Sequence, residues 1–461
     1  MDHNKDYMLR AWLLLVLVSA GLIVAYYLPP QIGSWQLTPI DLLADLRMQP
    51  ALEAEELTGI SETLPVDSTK AGADSTTTVN TSAREAKRVE QFRTSADSSF
   101  VVIEDYHPER KALSDLYNSI SHRAELGRPV RIAFCGDSFV EGDIFTDALR
   151  RGLQQRWGGV GVGWMAMSSP TAGFRQSIRH SSKGWEELNL MNNSKHRTPI
   201  TGYAYRGNSG DWSEYQAISG QTLPAAQFFY STAQPAQIRV ELSDTTYTQS
   251  LEPDGPKQMQ CLSINSKGSS RLRLSLIEGN ITSYGISLES TSGIIVDNIS
   301  MRGNSGLLAL STDTELTKAW RQYHDYDLIV LQYGLNVASN KQRNYQGYAS
   351  KMQQVITYLK GVYPHSSILL LGVSDRAQRS AQGLQTMPGV EYLHKTQRQI
   401  AHDNGIAFWS TLEAMRRLGG IVYMSEHGMA AKDYTHITHK GGQLLAPKLI
   451  EAFITEANEY D

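Results

Sequence analysis

The spacing of apolar residues divides the chain into segments of two kinds. Short runs such as "VRIAFCG", "YDLIVLQYG" and "SSILLLGVSD" are almost continuously apolar, which is typical of strands buried on both faces of a parallel sheet. Between such runs lie segments such as "YASKMQQVITYLKGVY", whose apolar residues recur every three or four positions. This spacing predicts amphipathic helices. Strands that alternate with helices predict a doubly wound α/β domain around a parallel sheet.

Residues 173–296 follow a different pattern. Short alternating runs such as "QIRVELSD", "SRLRLSLIE" and "YGISLES" are separated by stretches rich in Ser, Thr, Gly and Asn. Many short strands with turn residues between them predict a β-sandwich or jelly roll. Because the α/β pattern resumes afterwards, we expect an inserted domain. Residues 99–172 and 297–461 would then form the two parts of one α/β domain.

The first 98 residues predict an anchor and a linker. Residues 1–30 contain the uncharged run "AWLLLVLVSAGLIVAYYL", which is long enough for a short membrane span. Lys5 and Arg10 precede it, so we expect a single-pass inner-membrane helix with its N-terminus inside and the rest of the chain in the periplasm. A signal peptide cleaved after Ala20 is the alternative. Residues 31–98 predict a juxtamembrane segment, with a short amphipathic pattern up to residue 57, and then a flexible linker that is too poor in apolar side chains to pack.

The net charge and the cysteine content limit which binding partners and which disulfides we expect. The formal net charge is -4 and the pI is about 6.3, so nothing in the composition favours binding to nucleic acid. The chain has two cysteines, Cys135 and Cys261. Cys135 lies within an apolar strand, which favours a free, buried thiol over a disulfide.

Residues that could take part in a reaction lie just after the ends of the predicted strands or just before the last helix. Ser138 follows the strand 131–135, and Gly306 follows the strand 295–301. Asn336 follows the strand 327–333, while Asp433 and His436 precede the last helix. Because the carboxyl ends of parallel strands meet at one edge of a sheet, we expect these five residues to lie together.

These residue types are the ones that acyl transfer requires. Ser138 would be the nucleophile and His436 the base that takes its proton, with Asp433 orienting the imidazole. The N–H groups of Ser138 and Gly306 and the side-chain amide of Asn336 would form the oxyanion hole.

Other roles are open for the same side chains. Ser138 suits a helix N-cap and Asn336 a turn. Asp433, His436 and His439 could form a metal site, but that arrangement leaves Ser138 and Asn336 without a role. We therefore predict neither a metal nor a cofactor. Asp137 and Asp143 are interpreted as turn-stabilising residues that accept from nearby amides.

Four blocks resemble those of the SGNH (GDSL-type) hydrolases, in the chain order of that family. They are "GDS" at 136–138, "RGNSG" at 302–306, "YGLN" at 333–336 and "DYTH" at 433–436. Val337 departs from the family, which often has Asp there, and the large insert is a second departure. The resemblance implies a flavodoxin-like three-layer fold and a Ser138–His436–Asp433 triad, with Gly306 at the oxyanion position.

The β-rich insert is itself similar to that of bacterial peptidoglycan O-acetylesterases and related polysaccharide-acetylating or deacetylating proteins. This resemblance implies a serine esterase that removes O-acetyl groups from a cell-envelope polysaccharide such as peptidoglycan. One alternative is an O-acetyltransferase that receives acetyl groups from a membrane-bound O-acyltransferase. A second alternative, from a different class, is a non-catalytic glycan-binding module.

Overall fold

The computed structural model describes residues 31–32, 35–36, 100–192, 196–218, 220–255 and 258–460. The predicted membrane anchor and nearly all of the predicted linker lie outside these residues. In the described part, no helix is both long and apolar enough to cross a membrane. Near the N-terminus, the two-residue strands β1 (Gln31–Ile32) and β2 (Trp35–Gln36) pair in antiparallel fashion.

From residue 100 onward, strands and helices alternate with a long run of strands in the middle. In chain order, the strands are β3 (Glu104–Asp105), β4 (Val130–Gly136), β5 (Gly161–Met165), β6 (Ile178–Lys183), β7 (Glu186–Asn189), β8 (Tyr203–Asn208), β9 (Trp212–Ala217), β10 (Ala225–Ser231), β11 (Ala236–Leu242), β12 (Thr246–Leu251), β13 (Gln260–Ile264), β14 (Arg271–Glu278), β15 (Asn280–Glu289), β16 (Ile294–Ser300), β17 (Leu328–Gln332), β18 (Ser367–Leu371), β19 (Ala377–Ser380), β20 (Gly383–Thr386) and β21 (Ala407–Trp409). The helices are α1 (Ser114–Ser121), α2 (Thr146–Trp157), α3 (Thr314–Tyr323), α4 (Gln346–Val362), α5 (Pro388–Asn404), α6 (Thr411–Arg417), α7 (Gly420–Glu426) and α8 (His439–Ala457).

The central sheet has the strand order β16-β4-β17-β18-β21-β3. Its first five strands are parallel, and β3 adds to the edge in antiparallel fashion. Numbered by their own order in the chain, the parallel strands run 2-1-3-4-5, which is the flavodoxin-like doubly wound order. The predicted α/β class is therefore confirmed.

Burial on both faces explains why these strands are so apolar. Every residue of β4, β17 and β18 is buried, as expected where helices cover both sides of a parallel sheet. Helix α2 packs against α8 and β16, and α4 packs against α5. The layers thus hold the carboxyl ends of the strands at one fixed edge.

The inserted block forms two antiparallel sheets. One has the order β13-β10-β15-β8-β7, with β5 also paired to β15; the other has the order β12-β11-β14-β9-β6. Apolar side chains of both sheets share a second core, which includes Phe228, Ile238, Leu274 and Ile286. The block is therefore a β-sandwich, as predicted. Strand β5 belongs to the sandwich although it lies before residue 173, where the insert was predicted to begin. The sequence did not show this, because an apolar run by itself does not indicate which sheet a strand joins.

A buried polar network joins the sandwich to the central sheet. Arg131 of β4 donates from Nε to both carboxylate oxygens of Glu289 in β15, each at 3.2 Å. Asp297 of β16 accepts from the Trp164 backbone N–H of β5 at 2.7 Å, and the His324 ring nitrogen Nε2 lies 2.6 Å from the same carboxylate. Both cysteines are free, and Cys135 is buried as predicted.

Candidate active site

Ser138 lies in a tight turn at the carboxyl end of β4. The turn needs glycine at 136, since a Cβ there would stand 2.4 Å from a methyl group of Val140. The Asp137 carboxylate accepts from the Phe139 backbone N–H at 2.9 Å and closes the turn. Strand β4 lies between β16 and β17, where the strand order reverses, and ligands of such sheets bind at this point.

The structure brings Ser138, His436 and Asp433 together. Ser138 Oγ lies 2.8 Å from His436 Nε2, and His436 Nδ1 lies 2.6 Å from Asp433 Oδ2. The other Asp433 oxygen accepts from the backbone N–H groups of Thr435 and His436 at 2.9 and 3.1 Å. A nucleophile, a base and an orienting carboxylate thus form one hydrogen-bonded series.

The surroundings of Asp433 lower the pKa of its carboxyl group, as expected for the carboxylate of this hydrogen-bonded series. Partial burial opposes ionisation of this carboxyl group, but hydrogen bonds from the His436 ring and from the two backbone N–H groups outweigh burial. Together they lower the pKa of Asp433 to about 2. Asp433 is therefore ionised at neutral pH and can orient the His436 ring through the contact with Nδ1.

Two of the predicted oxyanion donors, Gly306 and Asn336, already have hydrogen-bond acceptors within the protein. Gly306 is buried, and its N–H donates to the Asn304 side-chain oxygen at 2.8 Å. A Cβ at Gly306 would meet the Tyr333 ring at 2.7 Å, so this glycine is needed for packing. Asn336 Nδ2 donates to Asp137 Oδ2 and to the Asn304 carbonyl oxygen, both at 3.1 Å. Asn336 is at the site edge with its amide already engaged.

Gly303 lies in the same loop as Gly306 and was not singled out by the sequence interpretation. In the parallel register Ser300 pairs with Gly136, and the Met301 N–H donates to the Gly136 carbonyl at 3.0 Å. This pairing carries Gly303 alongside the turn that holds Ser138. Within the part of the chain that the structure describes, the N–H groups of Ser138 and Gly303 have no acceptor. The Gly303 N–H thus differs from the Gly306 N–H, which donates to Asn304.

Asp137 and Asp143 do more than stabilise turns. Burial raises the pKa of Asp137 to about 7, against the opposing effects of the Phe139 N–H, of His436 and of the Asn336 amide. Asp143 is fully buried and forms a two-bond ion pair with Arg150, at 2.8 and 2.9 Å. Burial opposes its ionisation, but Arg150 and then Arg175 hold the pKa of Asp143 well below its usual range.

The remaining candidates lie around this centre. His439 is the first residue of α8, and its Nε2 lies 2.8 Å from the Phe174 carbonyl oxygen. Arg302 is exposed and pairs with Glu141 at 2.8 Å, which places the loop after β16 over the segment that follows Ser138. The structure thus directs His439 to the protein backbone, whereas a metal site would need its ring beside Asp433 and His436.

Comparison with solved structures bears on the fold. A peptidoglycan O-acetylesterase matches with a TM-score of 0.64 and 23% sequence identity, over 77% of this chain and 99% of that chain. This chain has the SGNH hydrolase fold. No protein-family model and no curated protein matches the sequence. The match covers 77% of this chain, which is more than the α/β domain alone. The likeness therefore includes both the α/β domain and the inserted sandwich.

More distant matches include two other ester hydrolases. One is a family two carbohydrate esterase from Cellvibrio japonicus, with a TM-score of 0.26 and 12% identity over 62% of this chain and 99% of that chain. The other is a lipase/acylhydrolase from Enterococcus faecalis, with a TM-score of 0.25 and 15% identity over 35% of this chain and 75% of that chain. At this level of similarity neither match adds to the argument.

Proposed function

We propose that the protein is a serine esterase that removes O-acetyl groups from a cell-envelope polysaccharide such as peptidoglycan. The observation that carries the proposal is the hydrogen-bonded series Ser138–His436–Asp433 at the edge of the central sheet. Because one fold can host many reactions, the site has to support the reaction by itself. The solved peptidoglycan O-acetylesterase that shares the fold supports the choice of substrate.

The reaction would pass through an acetyl-enzyme. Ser138 Oγ attacks the acetyl carbonyl carbon while its proton passes to His436 Nε2, and Asp433 stabilises the resulting imidazolium. The C–O bond to the sugar then breaks, and the sugar oxygen leaves with the proton from His436. A water molecule next gives a proton to His436 and attacks the acetyl group, which releases acetate and restores Ser138.

The tetrahedral oxyanion needs donors that are already in place. We assign this role to the N–H groups of Ser138 and Gly303, because neither has an acceptor in the described part of the chain. Asn336 would join them by giving up one of its two present acceptors. In this proposal Gly303 replaces Gly306, whose N–H is directed at Asn304.

The exposure of the site fits an ester carried on a polymer. The side chains of His436 and Asp433 are 36% and 47% exposed, so a glycan chain can approach without the opening of a lid. The same openness would admit a sugar hydroxyl in place of water, which is the step that an acetyltransferase supplied by a membrane-bound O-acyltransferase would use.

We further propose that the uncharged run in residues 1–30 anchors the protein in the inner membrane, with the catalytic body in the periplasm. The support is the length of the run and the placement of Lys5 and Arg10 before it. A periplasmic position would bring the esterase to the wall polymer.

The deciding experiment is acetate release from O-acetylated peptidoglycan and, in parallel, from O-acetylated xylan. With the intact protein we expect release from peptidoglycan. Ser138→Ala should lower the rate by at least about a thousandfold, because the other groups retain only residual catalysis. The control is Ser250→Ala on the exposed strand β12, which should keep the full rate.

Each outcome of this experiment has a definite meaning. Release from both polymers would broaden the substrate to acetylated glycans in general. Serine-dependent acetyl transfer to an added glycan acceptor, without release of acetate, would replace the esterase by a transferase. Equal rates for Ser138→Ala and the unaltered protein would remove Ser138 from the reaction, and a folded protein that binds glycan but shows neither reaction would be a binding module.

A further inference from the structure

The insert places an exposed aromatic residue next to the chain segments that follow Ser138 and His436. Phe174 ends a short helical turn, Ala172–Phe174, at the start of the sandwich, and the side chain is 55% exposed. Most large apolar side chains of a soluble domain are buried, and an exposed one held at a functional site points to a binding role.

Phe174 contacts both chain segments that carry catalytic residues. Its carbonyl oxygen lies 2.8 Å from Nε2 of His439, which is three residues after His436. Its side chain stands over Gly142, four residues after Ser138, where a Cβ would be only 2.7 Å from the Phe174 Cβ. Phe174 is therefore held against both chain segments, the one that follows the nucleophile and the one that follows the base.

Arg175, the residue after Phe174, makes a third contact that holds the same turn in place. Arg175 Nη1 lies 3.6 Å from the buried Asp143 carboxylate, which also holds Arg150. An aromatic ring on a backbone anchored in this way loses little freedom when a ligand packs on it. Preorganisation of this kind lowers the entropy cost of binding.

We propose that Phe174 is the platform on which a sugar ring of the substrate polymer stacks. The apolar C–H face of a pyranose is the complement of an exposed aromatic face, and packing the two together removes apolar surface from water. The sandwich insert would thus contribute to substrate selection as well as to architecture. This inference rests on the proposed function and refines it by naming a residue that selects polymeric over small esters.

The experiment compares two acetyl esters, O-acetylated peptidoglycan and 4-nitrophenyl acetate, which has no sugar ring. In Phe174→Ala, the kcat/KM for peptidoglycan relative to that for 4-nitrophenyl acetate should fall about threefold to tenfold, in line with one lost aromatic contact. The change should lie in KM, and Phe174→Tyr should restore the ratio. Tyr247→Ala, an exposed aromatic on β12 of the same insert, serves as the matched control and should leave the ratio unchanged.

A binding measurement separates failure of this inference from failure of the esterase proposal. Peptidoglycan fragments are titrated into Ser138→Ala and into the double variant Ser138→Ala/Phe174→Ala, and the double variant should bind about threefold to tenfold more weakly. Equal affinity of the two proteins, or an unchanged ratio in Phe174→Ala, would overturn the platform. An equal fall of kcat for both esters would also overturn it and would make Phe174 a residue that shapes the loop.

Discussion

Asp137 stands beside the nucleophile and carries an unusual protonation equilibrium. Burial raises its pKa to about 7, whereas an aspartate in an unfolded chain titrates near pH 4. Between these two pH values the folded protein holds a proton that the unfolded chain releases. The stabilisation from this proton is complete below about pH 4 and is lost as the pH rises through about 7.

This equilibrium predicts a pH-dependent difference between the protein and Asp137→Asn, which cannot titrate at that position. Relative to the variant, the unaltered protein should lose up to about 4 kcal/mol in its free energy of unfolding between pH 4 and pH 8. Urea denaturation at several pH values measures both proteins. If the two curves of stability against pH ran parallel over this interval, the raised pKa of Asp137 would be refuted.

At the residue scale, the sequence is informative where chemistry depends on side chains. Ser138, His436 and Asp433 stand out because their side chains complement one another at strand ends, and the structure brings them within hydrogen-bonding distance. Gly303 and Gly306 lack side chains and share a positive φ, 81° and 92°. In the described residues the Gly306 N–H has an acceptor and the Gly303 N–H has none, a difference that the sequence alone does not show.

At the scale of elements, one buried ion pair ties helix α2 to the turn of the nucleophile. Asp143 is fully buried with φ of 68°, a left-handed conformation that is uncommon for a residue with a side chain. Its partner Arg150 lies on α2, is 2% exposed, and donates from Nε to the carbonyl oxygen of Val296 in β16 at 2.8 Å. The pair thus sets the position of α2 against β16 and against the segment that follows Ser138.

Removing the charge of Asp143 should therefore be costly. Asp143→Asn leaves the Arg150 guanidinium buried without its counter-charge, and we expect a loss of about 3–5 kcal/mol in the free energy of unfolding. The control is Glu186→Gln, which breaks an exposed pair with Arg206 and should cost at most about 1 kcal/mol. Chemical denaturation measures both variants, and similar small losses in the two would show that the buried pair does not hold α2.

The elements that sequence patterns predicted best are the long ones with a single pattern. Strands β4, β17 and β18 are buried throughout and mostly apolar, because both of their faces are covered. Strand β3 has only two residues, and the hairpin of β19 and β20 has four in each strand. Such segments are too short to show a periodicity, and β3 in addition pairs with β21, which is distant in the sequence.

At the scale of the whole molecule, the insert and the α/β domain share buried charges. The pair of Arg131 in β4 with Glu289 in β15 crosses from the central sheet to the sandwich. Both side chains are buried, so neither charge has water as a substitute partner. A substitution in this ion pair should therefore destabilise both the central sheet and the sandwich.

Glu289→Gln tests the coupling of the two parts. The variant leaves Arg131 buried without a counter-charge, which should lower the free energy of unfolding by about 3–5 kcal/mol. Hydrogen exchange under native conditions should show faster exchange for amides of β4 as well as of β15, because both strands lose a shared contact. Faster exchange confined to β15 would mean that the sandwich opens independently of the central sheet.

The pairing of Gly136 with Ser300 across β4 and β16 has a consequence for the newly made chain. Strand β4 leaves the ribosome early, but the strand that completes its edge is translated only after the whole sandwich. Until then the edge stays unpaired and prone to association with other chains. A pairing of such high contact order also slows folding. The insert therefore delays the pairing of β4 with β16 until most of the protein has been synthesised.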